Sequence, residues 1–325
     1  MIVRKLEKHL DTNLDTARQP SVSIFFVLDG PKLEAQAILL ATTLRFFNAN
    51  RYKIIAYASQ EGWKTIQRIT FRVMKACDVE IRPLEPIRVR GRTAFNGHYP
   101  HGNKILAAAA PRSSDISVFL DNDTVCCAPL DFENVVQPNT MAAVVSDYAT
   151  GWYNQKRWVT AYGFFDQELP EQRVKFYRGR QLTSPPYYNA GMVGFREDVT
   201  GEDQHLGKVW LDTASRFDWD LDLPYDRVFT DQLSLPIAAT RIGLKMPYIE
   251  PIYNYNIMRR PFDPKLAPKI LHYHRFIDLW NWPFGRQIPT ILEATLGSYL
   301  SVRAMRVFRS YYTMPRRIKE AHLKT

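Results

Sequence analysis

Cysteine is scarce in this 325-residue chain: Cys77, Cys126 and Cys127 form an odd set with two members adjacent. That excludes a disulfide framework and a spaced zinc motif, and it predicts a reducing compartment. Long apolar runs are missing as well, since no stretch reaches the roughly 18 to 20 uninterrupted apolar residues that cross a bilayer. Met1 to Gln19 mixes Arg4, Lys5, Glu7, Lys8, Asp11 and Asp15 with scattered leucines. The apolar centre of a secretory signal is therefore absent too, and a cytoplasmic protein is expected. There is no low-complexity segment and no fixed-period repeat. No linker rich in Pro, Gly or Ser separates independent units, so one domain over 20–285 is expected, between an N-terminal extension 1–19 and a basic C-terminal segment 286–325.

Positive charge is concentrated rather than spread. The formal net charge is +10, from 43 Lys and Arg against 33 Asp and Glu, and residues 301–325 hold Arg303, Arg306, Arg309, Arg316, Arg317, Lys319 and Lys324 against Glu320 alone. The rest of the chain is close to balanced, which counts against a nucleic-acid binder and leaves a localised basic terminus. Leu292, Leu296, Tyr299, Val302, Met305, Phe308 and Tyr312 recur there at three- and four-residue steps, with arginines alongside. On one helix they would make an apolar stripe suited to an anionic membrane surface, which would place the protein peripherally at the inner face of the membrane. A terminal helix packed on the main domain is the competing reading.

What the chain has in quantity is apolar residues, 46% of the total, enough for a substantial core. Ser21 to Leu28 (SVSIFFVL) reads as a buried strand ending at the turn Asp29-Gly30-Pro31. Leu33 to Phe47 follows at helical spacing, then Lys53 to Ser59 extended, Gly62 to Lys75 helical, Val79 to Ile81 extended, Asn103 to Ala109 helical and Ile116 to Leu120 (ISVFL) extended. This alternation predicts an α/β fold, a mainly parallel, Rossmann-like sheet flanked by helices. Met141 to Ser146, Tyr187 to Phe195 and Lys269 to His274 read as further strands. The aromatic-rich stretch from Trp152 to Phe165 is read mainly as packing.

Ligands of such sheets sit off the carboxyl ends of the strands, which directs attention to Asp29, Asp121-Asn122-Asp123, Asp147 and His272. Asp121 and Asp123 follow ISVFL directly, and two carboxylates one residue apart suit a hard divalent cation that also binds diphosphate oxygens. Chance alone yields roughly one D-x-D in a chain of this length, so the preceding strand is what gives the triplet meaning. Asp218, Asp220 and Asp222 repeat the spacing without a strand and are read as a solvated loop.

Four segments carry a family resemblance in the right order: NKILAAAAPRSSDISVFLDNDTVCCAPLD, YYNAGMVGF, DQLSLP and LHYHR. Together, over about residues 20–275, they resemble the retaining GT-A glycosyltransferases of family 8, the group of glycogenin and bacterial lipopolysaccharide galactosyltransferases. The resemblance implies a metal-dependent hexosyltransferase that uses a nucleotide diphosphate sugar, with uridine as the expected base, and delivers the sugar to a glycan or glycolipid acceptor with retention. It further implies Mn²⁺ or Mg²⁺ held by Asp121, Asp123 and His272, with His274 as the alternative histidine. Asp29, Lys104, Asn122, Asn189, Ala190 and Gly191 would contact the donor. Asp147 would accept from sugar hydroxyls, and Asp231 and Gln232 would lie under the anomeric carbon.

The pattern is not complete. Arg275 stands where the family has a glycine, and FIDLWNWP replaces its lysine-containing diphosphate segment, so Arg275 is the expected substitute for that charge. A sugar nucleotidyltransferase is one alternative, but DGPKLEAQ lacks a glycine-rich phosphate loop after the first strand. A non-catalytic carbohydrate-binding protein of the same fold is the other. Intact Asp121, Asp123, Asp231 and His272 count against it.

Overall fold

The computed structural model describes residues 18–312, apart from residue 100 and the short segments 149–151, 153–154, 179–181, 198, 200–201 and 222–226. The basic positions from Arg316 onward, Asp222 and nearly all of the N-terminal extension therefore lie outside the described residues.

Val22–Leu28 (β1) is buried along its whole length, as expected for a strand covered on both faces. Its alternate residues enter two different cores. Ile24, Phe26 and Leu28 pack with the helix Pro31–Asn48 (α1), while Phe25 and Val27 pack on the opposite face with Phe119, Tyr187 and Trp210. The entry into α1 is set by Gly30, whose φ of 84° turns the chain sharply after Asp29. Lys53–Ala58 (β2) and Val79–Pro83 (β3) add to one side of β1, and Ile116–Leu120 (β4) to the other, all parallel. Tyr188–Arg196 (β5) then runs antiparallel to β4 and pairs with Ala142–Val145, giving a six-stranded mixed sheet. The mainly parallel α/β architecture expected from the alternation is therefore present.

Three consequences position the site. β1 and β4 are parallel, so Asp29 and Asp121 leave the sheet at the same edge. β5 is antiparallel, so its beginning, Asn189 to Gly191, reaches that edge from the other direction, and the Asp121 N–H donates to the Gly191 carbonyl at 2.8 Å. A register shift between Asn189 and Val193 frees this stretch from regular pairing. A small second sheet crosses the same edge, with Ile270–His272 (β6) pairing antiparallel with Thr124–Cys126.

Several expectations need correction. Gly62 to Lys75 is two helices, Gln60–Thr65 and Arg68–Ala76, because Ile66 is extended and Glu34 accepts from the Gln67 N–H at 2.9 Å. The late strand ends at His272, and His274 occupies a left-handed turn with φ 53°. Asp218 and Asp220 end the helix Leu206–Asp220 rather than lying in a loop, and Asp218 is engaged by Arg227.

The C-terminal stripe is not one helix either. Gly297, with φ 77°, breaks it into Ile288–Leu296 and Ser298–Val307, followed by the turn Arg309–Tyr312. Leu292, Phe308 and Tyr312 pack into the main core, while Tyr299 and Val302 are 69% and 66% exposed. The Tyr312 hydroxyl donates to the Ala35 carbonyl of α1 at 2.6 Å, tying this segment to the central helix. Tyr312→Ala is therefore expected to lower unfolding free energy by about 3 to 5 kcal/mol, the cost of emptying a large aromatic site, measured by urea denaturation. Unchanged stability would show that the segment does not contribute to the domain.

Candidate active site

Asp29, Lys104, Asp121, Asn122, Asp123, Asn189, Ala190, Gly191, Asp231, Gln232, His272 and His274 all line one cleft of about 370 Å³ at the carboxyl edge of the sheet. That volume is in the range of small-ligand sites. Sequence-predicted residues drawn from six chain segments thus meet in one place.

Lys104, on the helix Gly102–Ala109, is buried, with its ammonium 2.8 Å from Asp121 and 3.0 Å from Asp231. Burial alone would lower its pKa, but the two carboxylates outweigh this and raise it. The ammonium therefore stays charged through the neutral range. Its contribution to stability is complete below the unfolded lysine value of about 10.4 and is lost only as pH rises through the higher folded value. Asp231 begins the helix Thr230–Arg241 and is held from two further sides. Its backbone N–H donates to the Tyr99 hydroxyl at 2.9 Å, and its carbonyl accepts from the Trp210 indole at 3.2 Å. Gln232, the next residue, is half-buried in the cleft wall.

The Asp123 carboxylate meets both histidines, His272 Nε2 at 3.2 Å and His274 Nδ1 at 3.6 Å. Burial would raise the Asp123 pKa, yet the two imidazoles hold it well below the usual carboxylate range. Burial would likewise lower that of His272, and Asp123 reverses the direction. Ligand atoms of Asp123, His272 and His274 lie within 4.8 Å of one another, a set that suits a cation. His274 Nε2 is buried without a hydrogen-bond partner among the described residues. The two imidazole rings stack with centroids 3.9 Å apart despite the turn at His274. Asp121 lines the same cleft, but its carboxylate is bound by Lys104.

Asp29 accepts from the Ser59 hydroxyl at 2.9 Å and from the Asn103 side chain. Asn122 is a clamp, donating to the carbonyls of Val27 at 2.6 Å and Leu33 at 3.1 Å, and so fastens the Asp-Asn-Asp turn to β1 and α1. Two sequence-predicted residues are not brought to the cleft wall. Asp147 accepts from Asn256 at 2.6 Å and pairs with Arg178 at 3.3 Å. Arg275 makes a bidentate contact with Asp278, at 2.7 and 2.8 Å. Tyr99 and Asn254 are contributors that no motif marks. A signal for Asn254 does exist in PIYNYNIM, where amides alternate with apolar residues that bury, so each amide needs a partner.

The Rhodobacterales glycosyltransferase domain model matches residues 24–243. No curated protein matches the sequence. Among solved structures, the bifunctional glycosyltransferase WbbM is similar at TM-score 0.50 and 13% identity, over 89% of this chain and 52% of that one. This chain thus spans about half the length of WbbM, and the likeness shows a shared GT-A-type fold. Galactosyltransferase LgtC, solved with donor and acceptor sugar analogs, is similar at TM-score 0.49 and 12% identity over 92% of this chain and 99% of that one. Glycosyltransferase GlyE of Streptococcus pneumoniae TIGR4 follows at 0.47 and 14%, over 91% and 66%.

Lys104→Met would leave the Asp121 and Asp231 carboxylates beside each other without their shared cation. A loss of about 3 to 5 kcal/mol in unfolding free energy is expected at pH 7, the usual result of removing one partner of a buried ion pair. Urea denaturation of both forms measures it. A variant as stable as the parent would mean that the triad carries no structural burden.

Proposed function

The chain belongs to the Rhodobacterales glycosyltransferase domain family, and on that premise we propose that it transfers a hexose from a nucleotide diphosphate sugar, with uridine the expected base, to a glycan or glycolipid acceptor with retention at the anomeric carbon. The observation that carries this reading is the convergence of Asp123, His272 and His274 beside the Lys104-braced Asp231 and Gln232 in a single cleft.

The donor set fits Mn²⁺ or Mg²⁺: a carboxylate and a buried imidazole face each other, and a second imidazole keeps an unpartnered nitrogen. In this reading Asp123 and His272 hold the cation, with Asp121 and His274 bordering it. When bound, the cation would offset negative charge gathering on the departing diphosphate. Asn189, Ala190 and Gly191 offer a backbone wall for the donor, and Asp29 with Asn103 adds polar groups to the same cleft. Asp231 is fixed by Lys104, Tyr99 and Trp210, so its neighbour Gln232 is presented by a rigid helix start. Its amide dipole can stabilise positive charge at the anomeric carbon in the transition state. Retention requires the acceptor to enter on the face from which the diphosphate leaves, and a departing phosphate oxygen can take the acceptor proton. Asp147 and Arg275 lie outside the cleft wall, and the transfer is assigned without them.

The C-terminal helices suggest where the acceptor comes from. Tyr299, Val302 and Val307 are exposed and share a surface depression with Arg303 and Arg306. An apolar and basic face of this kind fits anionic lipid, each cation adding about 1 kcal/mol near the surface. Flotation with anionic vesicles should carry the wild type and not a Val302→Asp/Arg306→Glu variant; equal behaviour of the two would remove the lipid surface from the reading.

Incubation with Mn²⁺ and a panel of nucleotide sugars tests the reaction itself. Wild type should hydrolyse or transfer from one donor, and Asp123→Ala should lose at least about 100-fold in turnover while keeping its circular dichroism. Full activity in Asp123→Ala, or in wild type with excess chelator, would contradict the metal reading. NMR of the first-formed product should show an unchanged anomeric configuration, and an inverted linkage would contradict retention.

A further inference from the structure

Behind His272 runs a chain of hydrogen bonds whose direction is set by one backbone group. The Gly191 N–H can only donate, and it donates to Asn189 Oδ1 at 2.8 Å. The same oxygen accepts from Asn254 Nδ2 at 3.0 Å. With its NH₂ group committed there, Asn254 turns Oδ1 toward His272 Nδ1, 3.0 Å away. An amide oxygen only accepts, so Nδ1 must carry a hydrogen. The other ring nitrogen, Nε2, is the one that faces Asp123.

Amide orientation and histidine tautomer are often arbitrary choices, but here each follows from the preceding link, back to an N–H that cannot be reversed. Flipping Asn254 would set its oxygen against Asn189 Oδ1, which already accepts from the Gly191 N–H. Flipping Asn189 as well would set an NH₂ against the Gly191 N–H. Asn254 and His272 are 5% and 2% exposed, so water has little access to repair such a clash, and an unsatisfied buried polar group is costly. Gly191 also makes room for the ring: a Cβ there would lie 2.7 Å from His272 Cε1 and 2.8 Å from Nδ1. The absence of a side chain is therefore as necessary to the relay as the N–H.

We propose that Asn254 is a positioning residue that fixes which nitrogen of His272 faces the donor cleft: through Asn189 and Asn254, the Gly191 amide reserves Nδ1 for a hydrogen bond and leaves Nε2 for a divalent cation. The inference rests on the metal reading of the cleft. Histidine ligands commonly donate their second N–H to a carbonyl or carboxylate, which orients the ring and fixes the tautomer. In this chain the acceptor is a side-chain amide, itself oriented by the strand that forms the cleft wall. Cation binding and the backbone wall beside the donor are thereby coupled through three side chains.

Two measurements on the full chain separate this proposal from the reading it rests on. The first is ¹⁵N NMR of metal-free protein labelled at histidine, with His272→Gln identifying the resonance. Because Nε2 also faces an acceptor, the Asp123 carboxylate, the spectrum is read at alkaline pH with the ring neutral: the hydrogen should sit on Nδ1, and a neutral ring protonated only at Nε2 would overturn the proposal. The second is Mn²⁺ titration followed by the EPR signal of the free ion. Asn254→Leu should weaken binding by roughly 10- to 100-fold, whereas Asn254→Gln, which keeps both an acceptor for Nδ1–H and a donor to Asn189, should recover part of it. Wild-type affinity in a folded Asn254→Leu variant would overturn the proposal, and if that variant does not fold, the NMR result on the wild type decides. A wild type that does not bind Mn²⁺ refutes the metal reading, and the NMR result then judges the relay by itself.

Discussion

A lysine enclosed beneath the cleft must be answered by carboxylates, and Lys104 is answered by two that come from distant parts of the chain. Asp121 is delivered by the end of β4 and Asp231 by the start of a helix more than a hundred residues later. Their common ammonium fixes the separation between the Asp121–Asp123 turn and the Asp231–Gln232 corner. The surrounding groups reinforce this geometry. Tyr99 and Trp210 hold the Asp231 backbone, Asn122 fastens the Asp-Asn-Asp turn to β1, and the Asp121 N–H is bonded to Gly191. An arrangement that preorganises charge in a partly buried cleft is what stabilisation of a developing diphosphate requires.

The second half of the site is organised by direction of hydrogen bonding rather than by charge. Antiparallel β5 presents Gly191 with its carbonyl accepting from Asp121 and its N–H aimed at Asn189. One residue of the sheet thereby serves both sides of the proposed cation site, the carboxylate turn on one side and the histidine on the other. The one reversed strand of the six-stranded sheet thus shapes the cleft. A parallel strand at this position would bring its far end to the cleft.

Much of this was legible in the sequence because the relevant patterns are local. SVSIFFVL and ISVFL are apolar runs that can only be buried strands, and the carboxylates directly after them had to emerge at one edge. Asp123 with His272, and Lys104 as well, were legible only through the family resemblance of the ordered motifs. The dual salt bridge was not legible, because nothing in DQLSLP shows that Asp231 meets a lysine 127 positions earlier. Nor did the sequence show that the Arg275 guanidinium pairs with Asp278, three residues on. The C-terminal stripe failed at one residue, since heptad-like spacing across Gly297 conceals a left-handed break. Asn254 belongs to no motif, and only the buried environment of its amide reveals its use.

In the proposed reaction this cleft holds a divalent cation together with the diphosphate of the donor. Crystals soaked with Mn²⁺ and a uridine diphosphate sugar, measured above and below the manganese absorption edge, test it most directly. One anomalous peak is expected, bonded to an Asp123 oxygen and to His272 Nε2, with diphosphate oxygens completing its coordination. A nucleotide bound in the cleft without such a peak, or manganese bound through His272 Nδ1 or at another place on the molecule, would contradict it.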